Sequence, residues 1–254
     1  MAHGKRYRKQ LGKVQREHEY PPAEAISLIK ETASAGFDET VELHLRLGVN
    51  VRHAEEQLRG TLALPHGLGK DVTIAVFAEG QQARDAEAAG ADVVGGQDLV
   101  EKVQEGWTDF EVAISTPDMM KSVGQLGRVL GPQGLMPNPK VGTVTDDIEK
   151  AVTESKAGKI EYRTDRQAII HLAIGKASFD AQKLLDNCLA VIDEVVRAKP
   201  SSSKGKYILS ATLTTTMGPG IRVDAAKTGD REAAEEASSP AEETAEPAAE
   251  PATA

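Results

Sequence analysis

Between Glu39 and Val49 the chain alternates without a break. Val41, Leu43, Leu45, Leu47 and Val49 fall on one side, and Thr40, Glu42, His44 and Arg46 on the other. A side-chain period of two describes a strand buried on one face only. Such a strand needs cover, and its own neighbourhood is short of it. Upstream, Pro21-Pro22 opens one helix that runs to about Ala35, carries Ala25, Ile26, Leu28 and Ile29, and stops at Gly36. Downstream, only a short helix over 53–58 and a strand over 61–64 are expected. The alternating character returns after Gly158. Segments 160–163 and 168–174 flank Thr164-Asp165-Arg166-Gln167 as a hairpin. Ile170, Leu172 and Ile174 share a face, and His171 points away. Residues 178–198 form a long amphipathic helix ended before Pro200. After a flexible turn over 201–205, residues 207–216 read as a strand, with Tyr207, Leu209, Ala211 and Leu213 inward and Ser210, Thr212, Thr214 and Thr216 outward. Neither flank covers a sheet alone; together they make an antiparallel sheet with two long helices.

The pattern between the flanks is different. It begins at Pro65-His66-Gly67-Leu68-Gly69. A near-continuous apolar run (72–77), a helix (81–89, stopped by Gly90), a strand (92–94), a helix (99–105) and a strand (110–114) follow in turn. A last helix over 146–157 ends at Gly158. Strands alternating with helices imply βαβ units and a mostly parallel sheet. Linkers are expected near 67–69 and 158–159. Element order alone leaves two sequential domains open as an alternative to an insertion.

Residues 119–140, MMKSVGQLGRVLGPQGLMPNPK, carry Gly124, Gly127, Gly131 and Gly134, with Gly142 just beyond, and Pro132, Pro137 and Pro139. Glycine admits positive φ and proline fixes φ, so the stretch encodes a defined loop path. Leu126, Val129, Leu130, Leu135 and Met136 make it too apolar for a solvated spacer, and it is expected to pack down. A phosphate-cradling loop needs G-x-x-x-x-G-K-[ST], or G-x-G-x-x-G between strand and helix; this spacing matches neither. With FDETVELHLRLGV from Phe37 and TTTMGPG from Thr214, in that order, the stretch closely resembles the signature of the bacterial ribosomal protein L-one family, over about residues 5–223. The resemblance implies an α/β chain of two parts. One is a discontinuous α+β RNA-binding domain (1–67 and 160–228) with an antiparallel sheet and two helices. The other is an inserted Rossmann-like α/β domain (68–159). The resemblance also implies large-subunit rRNA of the ribosomal stalk as partner, a role in release of exit-site tRNA, repression of the chain's own operon mRNA, and a cytoplasmic monomer within the ribosome. No cofactor is implied.

Net charge of −9 looks wrong for an RNA binder, but its distribution is uneven. Residues 1–67 hold 10 Lys/Arg against 9 Asp/Glu, and 160–230 hold 10 against 8. Residues 68–159 hold 9 against 15, and 231–254 hold 1 against 7. Polyanion binding depends on the local field, so the mildly basic flanks permit it. Lys5, Arg6, Arg8, Lys9, Lys13 and Arg16 form a basic arm that holds phosphates or is a solvated, frayed end. Residues 229–254, rich in Ala, Glu, Pro and Ser, are expected to form a disordered acidic tail. No apolar run spans a bilayer and no signal peptide is visible, so a cytosolic protein is expected. The single cysteine, Cys188, excludes an intramolecular disulfide and reads as a buried thiol in an amphipathic helix.

Catalysis has little support. The six histidines lack metal-ligand spacing, Ser115-Thr116-Pro117-Asp118 reads as a strand end and helix cap, and Trp107 and Phe110 read as packing aromatics. No catalytic or metal residue is expected. The better surface is the outward sheet face with its edge loops: Phe37, Thr40, Glu42, His44, Ser210, Thr212, Thr214, Thr216 and Met217. Hydroxyls, one carboxylate and an apolar side chain at a Gly-Pro turn suit 2′-hydroxyls and base edges in a shallow RNA groove. From the residues alone, an ordinary solvated strand face is an equal alternative. The resemblance tips the balance, since Phe37, Thr40, Glu42, Thr216, Met217 and Gly218 match the family's RNA-contacting motifs. Arg52, Arg163, Arg166 and Lys176 are expected as phosphate-positioning partners. The competing readings are a nucleotide-dependent enzyme built on the middle unit and an interaction module whose acidic tail recruits a partner.

Overall fold

The computed structural model describes residues 4–70, 72–203 and 205–224. The expected tail, 229–254, lies outside the described residues. Eight α-helices and nine strands fall in the order α1 (Lys5–Leu11), α2 (Pro22–Thr32), β1 (Thr40–Leu47), β2 (Arg59–Ala63), β3 (Ile74–Phe77), α3 (Gln81–Ala88), β4 (Val93–Gly95), α4 (Gln97–Gln104), β5 (Val112–Ser115), α5 (Met120–Val123), α6 (Gly127–Gln133), α7 (Ile148–Lys156), β6 (Lys159–Arg163), β7 (Ile169–Lys176), α8 (Ala181–Arg197), β8 (Ile208–Thr215) and β9 (Ile221–Val223) among the described residues.

The antiparallel sheet has the order β7-β1-β8-β9, so it is assembled from both flanks of the chain. Its inner face is the set the alternation predicts: Val41, Leu43, Leu45 and Leu47 from β1, Ile170, Leu172 and Ile174 from β7, and Ala211 and Leu213 from β8, all buried. They pack on Ala25, Ile26 and Ile29 of α2 and on Leu184, Cys188, Val191, Ile192 and Val195 of α8. Fully burying one such Leu or Ile stabilises by roughly 1.5–3 kcal/mol. Among the described residues two helices lie on one side and none on the other.

The inserted unit is a parallel sheet of order β4-β3-β5. All four residues of β3 are buried, because helices cover both faces. Ala75 and Phe77 face Leu99, Val100, Val103, Val123, Leu126 and Leu130. Ile74 and Val76 face Ala86, Ile148 and Val152 on the opposite side. The two parts meet at the antiparallel ribbon of β2 and β6, where Arg59 pairs with Glu161 at 2.7 Å. The linkers touch there: Gly158 has φ 96°, and a Cβ on it would lie 2.6 Å from the Cα of Gly67. Asn187 of α8, fully buried, fixes the same junction. Its amide nitrogen donates to the carbonyls of Gly67 (3.0 Å) and Ile174 (2.7 Å), and its oxygen accepts from the N–H of His66 (3.1 Å).

Several local expectations need correction. Residues 119–140 are largely helical rather than a loop: α5, a 3-10 turn over Gly124–Leu126, and α6, which runs through Gly127, Gly131 and Pro132. The packing of Leu126 and Leu130, both fully buried, outweighs the poor helix propensity of glycine. Of these glycines only Gly134 and Gly142 take positive φ. The helix expected over 53–58 is a single 3-10 turn, Ala54–Glu56. The basic arm folds as α1 rather than fraying. Leu209, expected inward, is 42% exposed. It is the extra residue of a β-bulge, since Arg46 pairs with Ser210 but Leu47 with Ile208. The sequence reading missed β9, which pairs with β8 and bridges Tyr20 in parallel.

Candidate RNA-binding face

The outward face of the antiparallel sheet is polar along its length. Thr40, Glu42, His44 and Arg46 of β1 lie between β7 and β8. Glu42 is opposite Thr214, His44 opposite Thr212 and Arg46 opposite Ser210. A second bulge decides one member. Val41 pairs with Gly175 but Glu42 with Ala173, so Ile174 is an extra residue in β7. Unbroken alternation would place Lys176 on the inner face with Ile170, Leu172 and Ile174. The bulge shifts parity by one and sets Lys176 opposite Thr40. There its ammonium donates to the Thr40 hydroxyl at 2.9 Å. The Thr40 N–H donates to the Thr216 hydroxyl at 3.1 Å. Thr40, Lys176 and Thr216 therefore form one connected cluster at the start of β1.

A buried acid holds this end together. Glu39 is 1% exposed. One carboxylate oxygen accepts the N–H groups of Ser34 (2.9 Å) and Ala35 (2.8 Å); the other accepts the N–H of Met217 (3.0 Å). Burial pushes its carboxyl up, but hydrogen bonding, led by the N–H groups of Met217 and Ala35 with Thr215 and Ser34 adding to it, outweighs this and holds it below the usual carboxylate range. Glu39 thus fastens the loop after α2 to the turn after β8. Next to it, Asp38 accepts from the N–H and hydroxyl of Ser178 at 3.0 and 2.6 Å, tying the same loop to the entry of α8. On these supports stand Phe37 and Met217, 56% and 57% exposed. Gly218 is required by close approach: a Cβ would lie 2.3 Å from the Thr215 hydroxyl oxygen.

In mid-sheet His44 faces His171 across the strands, with their Nδ1 atoms 2.9 Å apart, so one donates to the other. Glu42 lies 3.7 Å from His44 Nε2, and Asp165 lies 3.6 Å from His171 Nε2. Partial burial pushes the His44 imidazole below its ordinary value, His171 adds to this, and Glu42 opposes it.

The expected site residues therefore divide. Phe37, Thr40, Glu42, Lys176, Thr214, Thr216, Met217 and Gly218 come together, with His44 beside them. Arg52, Arg163 and Arg166 do not. Arg52 is exposed in the turn after β1, Arg163 lies opposite Arg59 on the β2–β6 ribbon, and Arg166 is in the turn before β7. These are at the far end of β1, some 25 Å away at about 3.3 Å per residue. Sequence reasoning passed over Glu39, Asp38 and the partnership of His171 with His44. Glu39 carried one signal, as an acid at the parity position of the inward Val41. Arg46 and Arg222, both exposed, add charge to the same face.

Elsewhere the chemistry is sparse. Cys188 is fully buried, and burial pushes its thiol up to about 12, so it is an inert core residue. The rings of Trp107 and Phe110 lie tilted at 48° with centroids 5.6 Å apart, Phe110 in the core of the inserted unit and Trp107 packed against it. Among the described residues no cluster of three or more His, Cys, Asp or Glu could hold a metal ion, and no helix is long and apolar enough to cross a membrane.

Comparison with known proteins agrees with these motifs. The model of the ribosomal protein L1p/L10e family matches residues 29–219. Large ribosomal subunit protein uL1 of Thermobifida fusca (strain YX) is 57% identical over 237 residues, covering 93% of this chain and all of the relative. The chain belongs to the ribosomal protein L1p/L10e family.

Proposed function

We propose that this chain is a structural, non-catalytic rRNA-binding protein of the large ribosomal subunit, cytoplasmic and monomeric within the ribosome. Residues 1–67 and 160–228 are the binding unit and 68–159 an inserted domain. The name of the Thermobifida relative and the family membership support the subunit assignment. The observation that carries the site is the cluster at the start of β1: two half-exposed apolar side chains, Phe37 and Met217, braced by one buried carboxylate beside Thr40, Thr216 and Lys176. Each part has a role suited to RNA. Phe37 and Met217 pack on a base or sugar face. Thr40, Thr214 and Thr216 exchange hydrogen bonds with ribose hydroxyls. Glu42 accepts from a ribose hydroxyl or base amine, since it repels phosphate. Lys176 neutralises phosphate there, and Arg52, Arg163 and Arg166 do so at the other end of the face. Close approach at Gly218 keeps Met217 outside the core.

Within this reading the stalk of the large-subunit rRNA is the ligand, exit-site tRNA a transient second partner, and the chain's own operon mRNA a third through an rRNA-like site. These finer roles rest on the family resemblance. Titrating the full chain against a stalk rRNA fragment at several salt concentrations tests the reading. Tight binding, with log affinity falling linearly in log salt and flat calorimetry against common nucleotides, is expected. Saturable nucleotide binding without RNA binding would return the function to the inserted unit.

A further inference from the structure

The N-terminal segment places Lys5, Arg6, Arg8, Lys9, Lys13 and Arg16 within twelve residues. Its seat on the fold is narrow: Tyr7, Gln10 and Leu11 are half-buried and Val14 is buried, while all six cations are exposed. Among the described residues none of the six enters an ion pair. Lys5 and Lys9 stand four apart on α1 and repel along one helix face, and Lys13 follows in the turn after it. Helix α1 has seven residues, none of them buried and none acidic in the first turn. A helix of that length is marginal by itself. An anion laid along this surface would relieve the repulsion.

A separate feature supplies that anion. The N–H of Asp224 donates to the carbonyl of Tyr20, and the Tyr20 N–H to that of Arg222. The Tyr20 hydroxyl in turn accepts from the N–H of Gln15. The chain beyond Asp224 thus starts next to Tyr20, four residues past Arg16. Residues 231–254 hold seven Glu and one Arg. The first of these glutamates, Glu232, is eight residues past Asp224, a reach of up to about 28 Å, whereas Tyr20 is within about 14 Å of Arg16 by the same measure. Helix α1 adds roughly 10 Å. Tethering also raises the local concentration of the acidic segment to the millimolar range or above. We propose that α1 and the residues following it to Arg16 are a docking surface for the chain's own acidic segment, residues 231–254, through salt-labile ionic contacts. The surface lies with α2, across the domain from the bare sheet face, since the Lys13 ammonium donates to the Glu31 carbonyl. The contact shields the most basic stretch from indiscriminate polyanions and leaves the sheet face open.

Paramagnetic relaxation in the full chain tests this. Ser239→Cys provides a site for one nitroxide, because the buried Cys188 thiol stays unlabelled. The amides of residues 5–16 should lose more than about half their intensity at ~0.05 M salt and regain it at ~1 M, where the screening length is about 3 Å. Arg8→Glu with Lys9→Glu should abolish the loss at low salt. Two further cations, Lys199 and Lys206, lie near the tail's origin, in a groove that Glu19 and Asp224 also line. Intensity loss centred on that groove overturns the proposal, and Lys199→Glu with Lys206→Glu, which should leave the α1 effect unchanged, gives the cross-check. The absence of any loss at α1 in low salt, or a loss that survives 1 M salt or the α1 charge reversal, equally overturns it.

Discussion

The four-stranded antiparallel sheet and the three-stranded parallel sheet are built from similar apolar strands but finished differently. In the inserted unit β3 is buried at every position, with helices against both faces. In the split layer β1 is buried at every second position, and its other face carries Thr40, Glu42, His44 and Arg46. Helices cover both faces of the parallel sheet at its central strand and one face of the antiparallel sheet. The difference teaches where to look for a ligand. A sheet enclosed on both sides has spent its surface on folding, whereas a half-covered sheet keeps a rigid, patterned plane for recognition. Charge follows the same division, since the middle segment carries the acidic excess and the flanks a slight basic one.

Substitutions can break this comparison or sharpen it. The largest effect is expected in the enclosed sheet. Phe77→Ala removes a fully buried ring and should cost about 3–5 kcal/mol in chemical denaturation. Thr212→Ala on the bare face should stay within about 0.5 kcal/mol. Equal costs would mean that the bare face is structural after all.

Glu39→Ala comes next. It leaves the N–H groups of Ser34, Ala35 and Met217 without their acceptor and should cost about 1–3 kcal/mol of stability while also weakening RNA binding. Because the Glu39 carboxyl is held below its ordinary value, its contribution is present above that value and fades as pH falls into the acid range. Acid unfolding of Glu39→Gln should therefore be less pH-dependent than that of the parent. Identical acid transitions would show that the carboxylate charge is not what fastens the two loops.

Glu42→Gln is a smaller test whose outcome is a sign. If the carboxylate merely faces solvent, removing its charge strengthens RNA binding through the general field. If it accepts a hydrogen bond from ribose or base, binding weakens, since charge-assisted bonds are about twice as strong as neutral ones. Weakening is expected.

The smallest effect is a pH dependence of opposite sign for stability and for binding. The His44 imidazole is pushed down in the folded protein, so the unfolded chain takes up its proton first. Stability is complete above 6.5 and declines as pH falls from there through the lowered value. The same protonation adds positive charge beside His171, Glu42 and Arg46 and should tighten RNA binding. His44→Gln should flatten both trends, as read by thermal melts and binding curves between about pH 7.5 and 5.5, a range set by the ordinary histidine value. Stability that rises on acidification through this range would contradict the assignment of cause.

The legible part of the fold followed from periodicity. The two periods, 2 in the flanks and strand–helix alternation in the middle, located every strand but β9 and the inner face of β1. What escaped was set by single-residue geometry. The bulges at Leu209 and Ile174 have no side-chain signature, yet one expels a leucine and the other delivers Lys176 to the face. The helices within 119–140 were hidden because their glycines argue locally for a loop, while long-range packing of Leu126 and Leu130 decides. Glu39 and Asn187 were missed because a buried polar group is defined by backbone partners far away in sequence: Met217 for one, His66 and Gly67 for the other. The exposed anchors, Phe37 and Met217, stood out only through the motifs that contain them.

The central claim is that RNA is held on the bare face through the Phe37–Met217 end. The most direct test is the affinity of the full chain for stalk rRNA, at one fixed salt concentration, after Met217→Ala and, in parallel, after Arg128→Ala on the exposed surface of the enclosed unit. The first should weaken binding by roughly 1.5–3 kcal/mol, the range for burying an apolar side chain of this size, with unchanged folding stability, and the second should leave affinity unchanged. Unchanged affinity for Met217→Ala together with a marked loss for Arg128→Ala would place the RNA on the other sheet and contradict the account.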